Sequence, residues 1–469
     1  MSEPEWVKHA IFYQIFPDRF YNGNPSNDPE NVQSWGNKPN LWCFQGGDLD
    51  GILEKLDYLL DLGITAIYLN PIFLSPSSHR YNTVDYYQID PKLGNLNSFR
   101  RFLDASHNKG IKIILDGVFN HTGRGFFAFN DILENGKYSP YKNWYYIHRF
   151  PVDAYGPGDA VDYYGWWNYK SLPKLNTFHP AVREYLFNVA EHWIKFGIDG
   201  WRLDVPNEID DDTFWQEFRY RVRKINPQAY LVGEIWDIDP RWVNETHFDG
   251  VMNYPLKKAI ISFLLRSISN DELLKQLNAI FSAYPKQNLF YLLNLLGSHD
   301  TERLFTILNE DLALVKLGFF MMLTLPGAPS IYYGDEIGLT GGKDPLSRKA
   351  FPWDQESWNS ELRVWIQNLI QIRKQEEVLR VGDIELINVV DHQDILCYTR
   401  VMDQAVFIIM VNVASETRKI NLSIKNTTLK KGNILKNILG NEQFSIDNDD
   451  QIFVDIPPKS ALLLKNVKF

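Results

Sequence analysis

The chain has 469 residues, which is too long for one compact domain but enough for a barrel of about 250 residues and a smaller partner. Its hydrophobic content of 45% and charged content of 23% are those of an ordinary folded protein, and its net charge of -10 argues against nucleic acid or anionic lipid as partners. The two cysteines have no metal-like spacing, no apolar stretch reaches about 18 residues, and the N-terminus has no signal pattern, so we expect a cytoplasmic protein with no disulfide framework and no membrane span.

The first part of the chain alternates short apolar strands with amphipathic helices. Leucines recur at helical spacing from Asp50 until Gly63, and a second helix is predicted from about Asn97 to Lys109. The apolar runs around these helices predict strands over 10–20, 63–71 and 111–120. Strand–helix alternation of this kind indicates parallel pairing with crossover helices.

The alternation stops at residue 122. Residues 122 to about 177 are rich in Gly, Tyr, Trp and Pro without a clear helical period, and a loop of that length is usually functional or a small inserted domain. The pattern resumes with a helix that begins at Pro180 and places one apolar face inward: Val182, Leu186, Val189 and Trp193. Five further apolar runs predict strands four to eight, over 197–205, 230–236, 248–254, 290–300 and 327–336.

Eight strand–helix units predict a closed (β/α)₈ TIM barrel, an α/β fold whose active site lies at the carboxyl ends of its strands. From about Asp383 the pattern changes to short alternating strands with turn residues between them, which predicts an appended antiparallel β-sandwich. The predicted division is a first part of the barrel, an inserted domain after strand 3, a second part of the barrel and a C-terminal sandwich: 1–121, 122–177, 178–380 and 381–469.

Three acidic residues close three of the apolar strand runs: Asp204, Glu234 and Asp300. Buried strands are continuously apolar, so a carboxylate at each end needs a reason. Each could simply begin a loop. Together, three carboxylates from separate strand ends suit the cleavage of a glycosidic bond, with one as nucleophile, one as acid/base and one holding the sugar.

Neighbouring residues assign roles to two of these acids. Arg202 and Asp204 are two apart on a strand, so they face the same way, and the arginine favours the ionised carboxylate that a nucleophile needs. A buried ion pair is the structural alternative. Glu234 is followed by Ile235 and Trp236, and an apolar wall with nearby aspartates raises the pKa of a general acid. If Asp204 attacks, the reaction retains configuration and the two carboxyl groups lie about 5–5.5 Å apart.

A second cluster, DGVFNH, contains Asp116 and His121 at the end of strand three. Together with GWRLDVPNE, GEIWD and SHDTER, in this order and spacing, it resembles the signature regions of glycoside hydrolase family 13, the α-amylase family. LPKLN (172–176), FYQIFPDRF and GAPSIYYGDEIG are similar to the neopullulanase, cyclomaltodextrinase and maltogenic amylase subfamily. The resemblance covers essentially the whole chain.

The resemblance implies a role for each matching residue. Asp204 matches the nucleophile, Glu234 the acid/base, and Asp300 the carboxylate that grips the sugar and helps distort its ring. The residues implied around the substrate fall into three groups: Tyr81, His121, Arg202 and His299 at the attacked glucose, Asp344 and Arg348 on the far donor side, and Asn207 and Glu208 on the acceptor side. Asp116, from the second cluster, is a further substrate-binding candidate, and a satisfied loop histidine is the alternative for His121. For Glu208, a solvated carboxylate at a helix start is the alternative.

The resemblance also implies a structural calcium ion. Its ligands are taken from two loops: Asn22, Asn24, Asn27, Asp28, Gly46 and Asp48. Amide, carboxylate and backbone oxygens suit a hard cation, although Asn, Asp, Pro and Gly clusters are also ordinary turns. The position of Asn24 is often Asp in the subfamily, so this sequence has one negative charge less. Asn82 is a second departure, because Asp is usual after the stacking tyrosine.

The resemblance implies a retaining hydrolase of α-1,4 and probably α-1,6 bonds in cyclodextrins, pullulan and maltooligosaccharides, with transglycosylation. A starch-type α-amylase or a 4-α-glucanotransferase would use the same residues. A non-catalytic sugar-binding protein is the remote alternative, and the chain retains all three acids. Subfamily members usually carry an N-terminal sandwich that builds their dimer. Here the barrel begins almost at Met1, so we expect that domain to be lacking and the protein to be a monomer or an atypical homo-oligomer.

Overall fold

The computed structural model describes residues 3–389, 392–424, 429, 432–447 and 451–467. Its N-terminal three quarters form a parallel barrel with one small hairpin beside it. In chain order the strands are β1 (Phe12–Ile15), β2 (Ala66–Leu69), β3 (Phe73–Leu74), β4 (Asp85–Ile89), β5 (Lys112–Gly117), β6 (Gly200–Leu203), β7 (Tyr230–Gly233), β8 (Gly250–Val251), β9 (Leu293–Leu295) and β10 (Ala328–Tyr332).

Eight of these strands pair in the order β8-β7-β6-β5-β2-β1-β10-β9, all parallel. A parallel bridge between Met252 and Leu293 joins the two ends of the order and closes the ring. The barrel strands are buried except for Lys112 at the start of β5, as expected for parallel strands covered by helices outside and side chains inside. The predicted (β/α)₈ barrel is confirmed. The antiparallel pair of β3 and β4, in the loop after the second barrel strand, was not predicted.

The barrel helices lie between the strands, and the inserted segment adds one more. In chain order they are α1 (Leu49–Glu54), α2 (Leu56–Leu62), α3 (Leu96–Asn108), α4 (Phe127–Asn135), α5 (Pro180–Phe196), α6 (Asp212–Ile225), α7 (Tyr254–Leu264), α8 (Asn270–Ala283), α9 (Leu304–Ile307), α10 (Leu312–Thr324), α11 (Ser360–Gln375) and α12 (Glu377–Val381). No helix in the described part of the chain is long and apolar enough to cross a membrane.

Two of the helix predictions have different outcomes. Helix α5 begins at Pro180 and ends before Gly197, whose φ of 118° caps it, and its predicted apolar face is buried. The single helix predicted from Asp50 to Gly63 was wrong, because the chain breaks at Lys55 into α1 and α2. The break lets α1 pack on α3 and α2 pack on α11, while the Lys55 ammonium lies 3.8 Å from the centre of the Tyr21 ring.

The segment 122–177, here called the inserted segment, is mostly irregular but contains helix α4, which the prediction missed. Short antiparallel bridges organise the rest of it, including Tyr145 with Leu175 and Gly165 with Pro173. A further bridge between His121 and Lys174 attaches its final stretch to the end of barrel strand β5. The inserted segment therefore lies beside the carboxyl ends of the barrel strands.

The C-terminal part is antiparallel, as predicted. Its strands are β11 (Asp383–Ile387), β12 (Ile395–Met402), β13 (Ala405–Asn412), β14 (Arg418–Ser423), β15 (Ile434–Asn437), β16 (Gln443–Ser445), β17 (Gln451–Ile456) and β18 (Ser460–Val467). A six-stranded sheet in the order β11-β12-β13-β18-β15-β16 packs against the pair of β14 and β17 around one apolar core. The other face of the large sheet joins the barrel core through residues such as Tyr398 and Phe407.

Candidate active site

The acidic residues picked out in the sequence meet at one end of the barrel. Asp204 follows β6 and Glu234 follows β7, while Asp300 lies in the turn after β9. Asp116 is the next-to-last residue of β5 and is paired in register with Arg202 of β6. The carboxyl ends of parallel strands share one rim of a barrel, so strand topology alone brings these side chains together.

One guanidinium connects three of the carboxylates. Arg202 is completely buried, and its Nη1 donates to Asp116 Oδ1 at 2.8 Å and to Asp204 Oδ1 at 2.9 Å. Its Nη2 lies 3.1 Å from Glu234 Oε2. Arginine suits this position because its planar fork reaches several oxygens at fixed angles. A single cation shared by three buried acids leaves the cluster with excess negative charge.

The environment of this cluster favours the protonated form of Glu234. Burial raises the pKa of Glu234, Arg202 opposes the shift, and the nearby Asp300 adds to it. This agrees with the general-acid expectation, because a carboxyl group must keep its proton near neutral pH to donate it.

The nucleophile candidate has a less simple environment than the sequence indicated. Arg202 does favour the ionised form of Asp204, but burial outweighs it and raises the pKa of Asp204 well above its ordinary value, with Glu234 adding to the rise. The sequence argument counted one arginine for one aspartate, whereas the structure divides that arginine among three acids. Positive charge that develops at an anomeric carbon would act with Arg202 to favour the Asp204 carboxylate.

A strained turn and an indole fix the position of Glu234. Val205 has φ 36° and ψ 52°, which is unusual for a β-branched residue, and in this conformation its N–H donates to Glu234 Oε2 at 3.1 Å. The Trp236 Nε1–H donates to Glu234 Oε1 at 3.2 Å. The Trp236 ring itself is stacked on Tyr254, with centroids 3.8 Å apart and 9° between the planes. Both oxygens of the acid are therefore oriented by neighbours.

On the opposite side of the site, Tyr81 and His299 stack with only 4° between their planes and 5.3 Å between centroids. The Tyr81 hydroxyl donates to Asp116 Oδ2 at 2.8 Å and lies 2.7 Å from His299 Nε2. Tyr68 donates to the same Asp116 oxygen at 2.6 Å. Asp116 therefore acts as the anchor of the aromatic wall, through direct hydrogen bonds from both tyrosines.

The network also assigns the tautomer of His299. Burial lowers the pKa of His299 well below its usual value, so the ring is neutral. The amide groups of Gln14 and Asn70 donate to its Nδ1 at 3.0 and 3.2 Å, which leaves the hydrogen on Nε2. That Nε2–H faces the Tyr81 hydroxyl and, at 3.1 Å, Asp300 Oδ2. Asp300 is the most open of the three acids, with 29% of its side chain exposed.

The residues implied on the donor side are contiguous with this wall. Arg348 Nε donates to the His299 carbonyl oxygen at 3.0 Å and lies 3.2 Å from Asp344 Oδ1. Arg348 Nη2 lies 3.3 Å from Asp300 Oδ1. The arginine thus connects Asp344 to Asp300.

Of the two residues predicted for the acceptor side, Asn207 is exposed on the short turn after β6. Glu208 is joined to the inserted segment, because Lys174 Nζ donates to the Glu208 carbonyl oxygen at 2.6 Å and to Asn120 Oδ1 at 2.9 Å. His121 is buried, burial lowers its pKa to about 3, and its Nε2 has no hydrogen-bond partner within the described residues.

Several residues of this network were missed in the sequence. Gln14, Tyr68 and Asn70 lie at the ends of β1 and β2, and Lys174 joins the inserted segment to Glu208. A signal was present for Tyr68 and Asn70, because polar residues two apart at the end of an apolar strand share a face, as Arg202 and Asp204 do. Gln14 carries no comparable local signal. Trp236 was expected as part of the apolar wall beside Glu234 but not as a hydrogen-bond donor to it, and Lys174 was noted only within LPKLN.

The predicted calcium residues form one polar cluster between two loops. Asp48 Oδ2 accepts from the Asn24 N–H at 2.8 Å and from Asn27 Nδ2 at 3.2 Å, while its Oδ1 caps helix α1 through the Gly51 N–H at 2.6 Å. Asn24 Oδ1 accepts from the Ser26 hydroxyl at 2.6 Å and so closes its own turn.

Two amide oxygens in the cluster, Asn22 Oδ1 and Asn27 Oδ1, are buried and have no hydrogen-bond partner among the residues that the structure describes. Asn22 Nδ2 lies 2.9 Å from one oxygen of Asp28. Gly46 has φ 82°, and a Cβ there would lie 2.3 Å from Asp28 Oδ1, so the cradle has no room for a side chain. Unpaired amide oxygens beside two carboxylates suit a hard cation. No group of three or more His, Cys, Asp or Glu is placed to hold a metal in the described ranges.

Comparison with known proteins gives the family of the chain. The model of the alpha amylase catalytic domain matches residues 14–369. A cyclomaltodextrinase from Geobacillus thermopakistaniensis is 44% identical over 98% of this chain and 77% of its own length. Neopullulanase 2 from Thermoactinomyces vulgaris is 43% identical over 88% of this chain and 70% of its own. The solved Nostoc punctiforme debranching enzyme covers 99% of both chains at 42% identity, with a TM-score of 0.90.

Proposed function

The chain belongs to the α-amylase family and is a glycoside hydrolase, and from this premise we propose that it cleaves α-1,4 and α-1,6 glucosidic bonds in cyclodextrins, pullulan and maltooligosaccharides with retention of configuration. The observation that carries the mechanism is the Arg202 fork, which holds Asp204 and Glu234 on one cation at the carboxyl ends of adjacent strands. The similarity to a cyclomaltodextrinase, a neopullulanase and a debranching enzyme supports the substrate class.

In the first step, Glu234 gives its proton to the glycosidic oxygen while Asp204 attacks the anomeric carbon. The bond between that carbon and the leaving oxygen breaks, and a glycosyl ester forms on Asp204. Arg202 holds Asp204 through Oδ1, so Oδ2 is the candidate attacking atom. Val205 and Trp236 keep the acid oriented, and Tyr81 and His299 form the wall against which the attacked sugar packs.

In the second step, the Glu234 carboxylate removes a proton from water, whose oxygen attacks the anomeric carbon and releases Asp204. A sugar hydroxyl can replace water, which gives transglycosylation. Lys174 holds Glu208 at the edge of the site. This fixed position supports the proposal that Glu208 helps to order a sugar acceptor there. The same residues act in both outcomes, so the ratio of hydrolysis to transfer depends on how well an acceptor competes with water.

The experiment that tests this function is a parallel product analysis with β-cyclodextrin, pullulan and soluble starch, sampled early and late. We expect fast opening of the ring to maltose and glucose, panose from pullulan, slower starch breakdown, and an α-configured first product by NMR. Starch cleavage that outruns the ring would instead indicate a starch-type amylase, and transfer without net hydrolysis would indicate a 4-α-glucanotransferase. Absence of turnover with every α-glucan would contradict the proposal.

We also propose that the cluster around Asp48 holds a structural calcium ion. Asn22 and Asn27 would contribute their unpaired amide oxygens, Asp28 and Asp48 their carboxylates, and Gly46 its backbone oxygen. A divalent cation there would neutralise the two buried or half-buried acids and join the loop after β1 to the start of helix α1. The proposed calcium ligands are far in sequence from Asp204 and Glu234, and the ion takes no part in the catalytic steps proposed above.

Metal analysis of the purified protein and unfolding curves test the calcium proposal. We expect close to one calcium per chain, a lower Tm after treatment with a chelator and recovery on addition of Ca²⁺ but not Mg²⁺. Asn24→Asp restores the charge that related sequences carry, so it should tighten calcium binding. Exposed Asn97→Asp is a charge-matched control that should not change it. The proposal would be refuted if the purified protein contained no metal and its Tm changed with neither chelator nor added calcium.

We propose a cytoplasmic location, supported by the two cysteines, Cys43 and Cys397, which are both buried as free thiols, as proteins of reducing compartments have them. Cell fractionation with an antibody tests this. For the oligomeric state, we propose a monomer or an atypical homo-oligomer, and sedimentation equilibrium distinguishes the two.

A further inference from the structure

Three rings in series lead out of the active site into solvent. The His121 ring stacks on Trp166 with centroids 5.5 Å apart and 26° between the planes. Trp166 stacks in turn on Trp167, at 4.7 Å and 8°. His121 is buried and follows strand β5 at the carboxyl end of the barrel, whereas Trp166 and Trp167 belong to the inserted segment. The stack therefore joins the two parts of the molecule.

The outermost ring of the stack, Trp167, is mostly exposed to solvent. Trp167 is 72% exposed although Trp166 covers one of its faces, so the opposite face is open. Leaving a tryptophan ring in water forgoes the stabilisation that its burial would give. Single exposed apolar residues are common on protein surfaces and mean little by themselves. An outward-facing indole that is the third ring of a stack starting at His121 is a more specific arrangement.

The backbone at Trp167 is strained in the conformation that exposes its ring. Trp167 has φ 48° and ψ 34°, and Asn168 follows with φ 61°. The left-handed region disfavours bulky side chains, so such a residue persists only where its surroundings impose it. The turn is held on both sides, because the Trp166 N–H donates to the Leu172 carbonyl at 2.8 Å and the Ala160 N–H to the Asn168 carbonyl at 2.8 Å.

We propose that the open face of Trp167 is a platform on which a glucosyl ring stacks, and that Trp167 selects substrates long enough or curved enough to reach it. The proposal rests on the function proposed above. The apolar C–H face of a pyranose fits a flat indole, as in other aromatic-lined ligand sites. The platform lies two ring spacings beyond His121, so it engages a unit other than the one attacked. Maltotriose should be too short to gain from it, whereas maltoheptaose and β-cyclodextrin should reach it.

Trp167→Asn is the sharpest variant, because asparagine adopts left-handed backbone readily. We expect its Tm to stay close to that of the unmodified protein, because relief of the backbone strain offsets loss of the stacking contact with Trp166. Its KM for maltoheptaose and β-cyclodextrin should rise about tenfold with kcat little changed, as for removal of a central aromatic contact. Turnover of maltotriose should be unaffected, and Trp167→Phe should recover most of the affinity for long substrates.

Tyr138→Asn is the matched control, because Tyr138 is 82% exposed in the same segment and is not part of the stack. It should change none of these constants. Equal losses for Trp167→Asn on short and long substrates, or no loss on long ones, would overturn the proposal. So would a change in sedimentation with unchanged kinetics, because the ring would then be a contact between copies of the chain. Turnover of maltotriose by the unmodified enzyme tests the proposed function separately.

Discussion

The floor and the rim of the candidate site are built in opposite ways. The floor, formed by Asp116, Arg202, Asp204 and Glu234 at the ends of β5, β6 and β7, is buried and joined by short polar contacts. The rim, formed by the inserted segment, presents exposed rings such as Trp167 and is held mainly by backbone bridges. Barrel strands supply the first and an irregular loop the second.

This difference indicates that the floor carries out bond cleavage and that the rim selects among substrates. Charges that must act on one bond need fixed positions and little water, which barrel strand ends provide. Rings that receive sugars of different length and curvature need open faces, which a loop provides. Changes in the floor should therefore lower kcat for every substrate, whereas changes in the rim should alter KM for some substrates only. Four variants test this division, from the largest expected effect to the smallest.

Asp204→Asn removes the proposed nucleophile and keeps the shape of the side chain. We expect kcat to fall on the order of 10⁴-fold or more on every α-glucan, because the covalent intermediate can no longer form. Tm and sugar binding, measured by calorimetry and fluorescence, should be retained. Asp211→Asn, at the start of helix α6, is a control for the same chemical change away from the floor. Near-normal turnover by Asp204→Asn would exclude this role.

Arg202→Lys keeps a positive charge but loses the fork that reaches three acids. We expect a loss of about 3–5 kcal/mol in the free energy of unfolding and a fall in kcat of about 10²-fold, because two carboxylates lose their partner. Denaturant titration and initial rates measure the two effects. If lysine supports normal rates and stability, the three-way contact is not what organises the floor.

Lys174→Met cuts the connection between rim and floor, since Lys174 contacts both Asn120 and Glu208. We expect about a tenfold change in the KM for sugar acceptors and in the ratio of transfer to hydrolysis, with kcat for hydrolysis nearly retained. Lys170→Met is the control: Lys170 is buried in the same segment but pairs with Asp153. If both variants shift the ratio equally, the effect is general loosening of the segment.

Trp236→Phe keeps a ring on Tyr254 but removes the N–H that donates to Glu234. That hydrogen bond favours the charged carboxylate, so its loss raises the pKa of Glu234 further. Glu234 must be protonated for the first step, and the rate falls as pH rises through its pKa. The alkaline limb of the kcat/KM profile should therefore move to higher pH.

Trp365→Phe, which removes an indole hydrogen bond to Lys316 on the outside of the barrel, is the control for this profile. It should leave both limbs in place. An alkaline limb that moves to lower pH in Trp236→Phe would contradict the assignment of Glu234 as the acid.

Much of the architecture was predictable because it depends on local pattern. Apolar runs and helical spacing predicted the eight barrel strands and helix α5, since burial on two faces or on one stripe leaves a periodic trace. The break at Lys55 and helix α4 were missed, because both depend on which neighbour the helix packs against. The family followed from four short motifs, and the match to the alpha amylase catalytic domain confirms it.

By itself, the sequence determined which acids end which strands, and parallel topology then required them to meet. Only the tertiary structure decided how they share charge, because Arg202 contacts three carboxylates at once. It also decided that His299 is neutral with its hydrogen on Nε2, and that the Val205 N–H, in a strained conformation, donates to Glu234. The order of residues along a strand is a local property that the sequence carries directly. Burial, pKa and hydrogen-bond partner depend on groups far apart in the chain, so they exist only once the barrel closes.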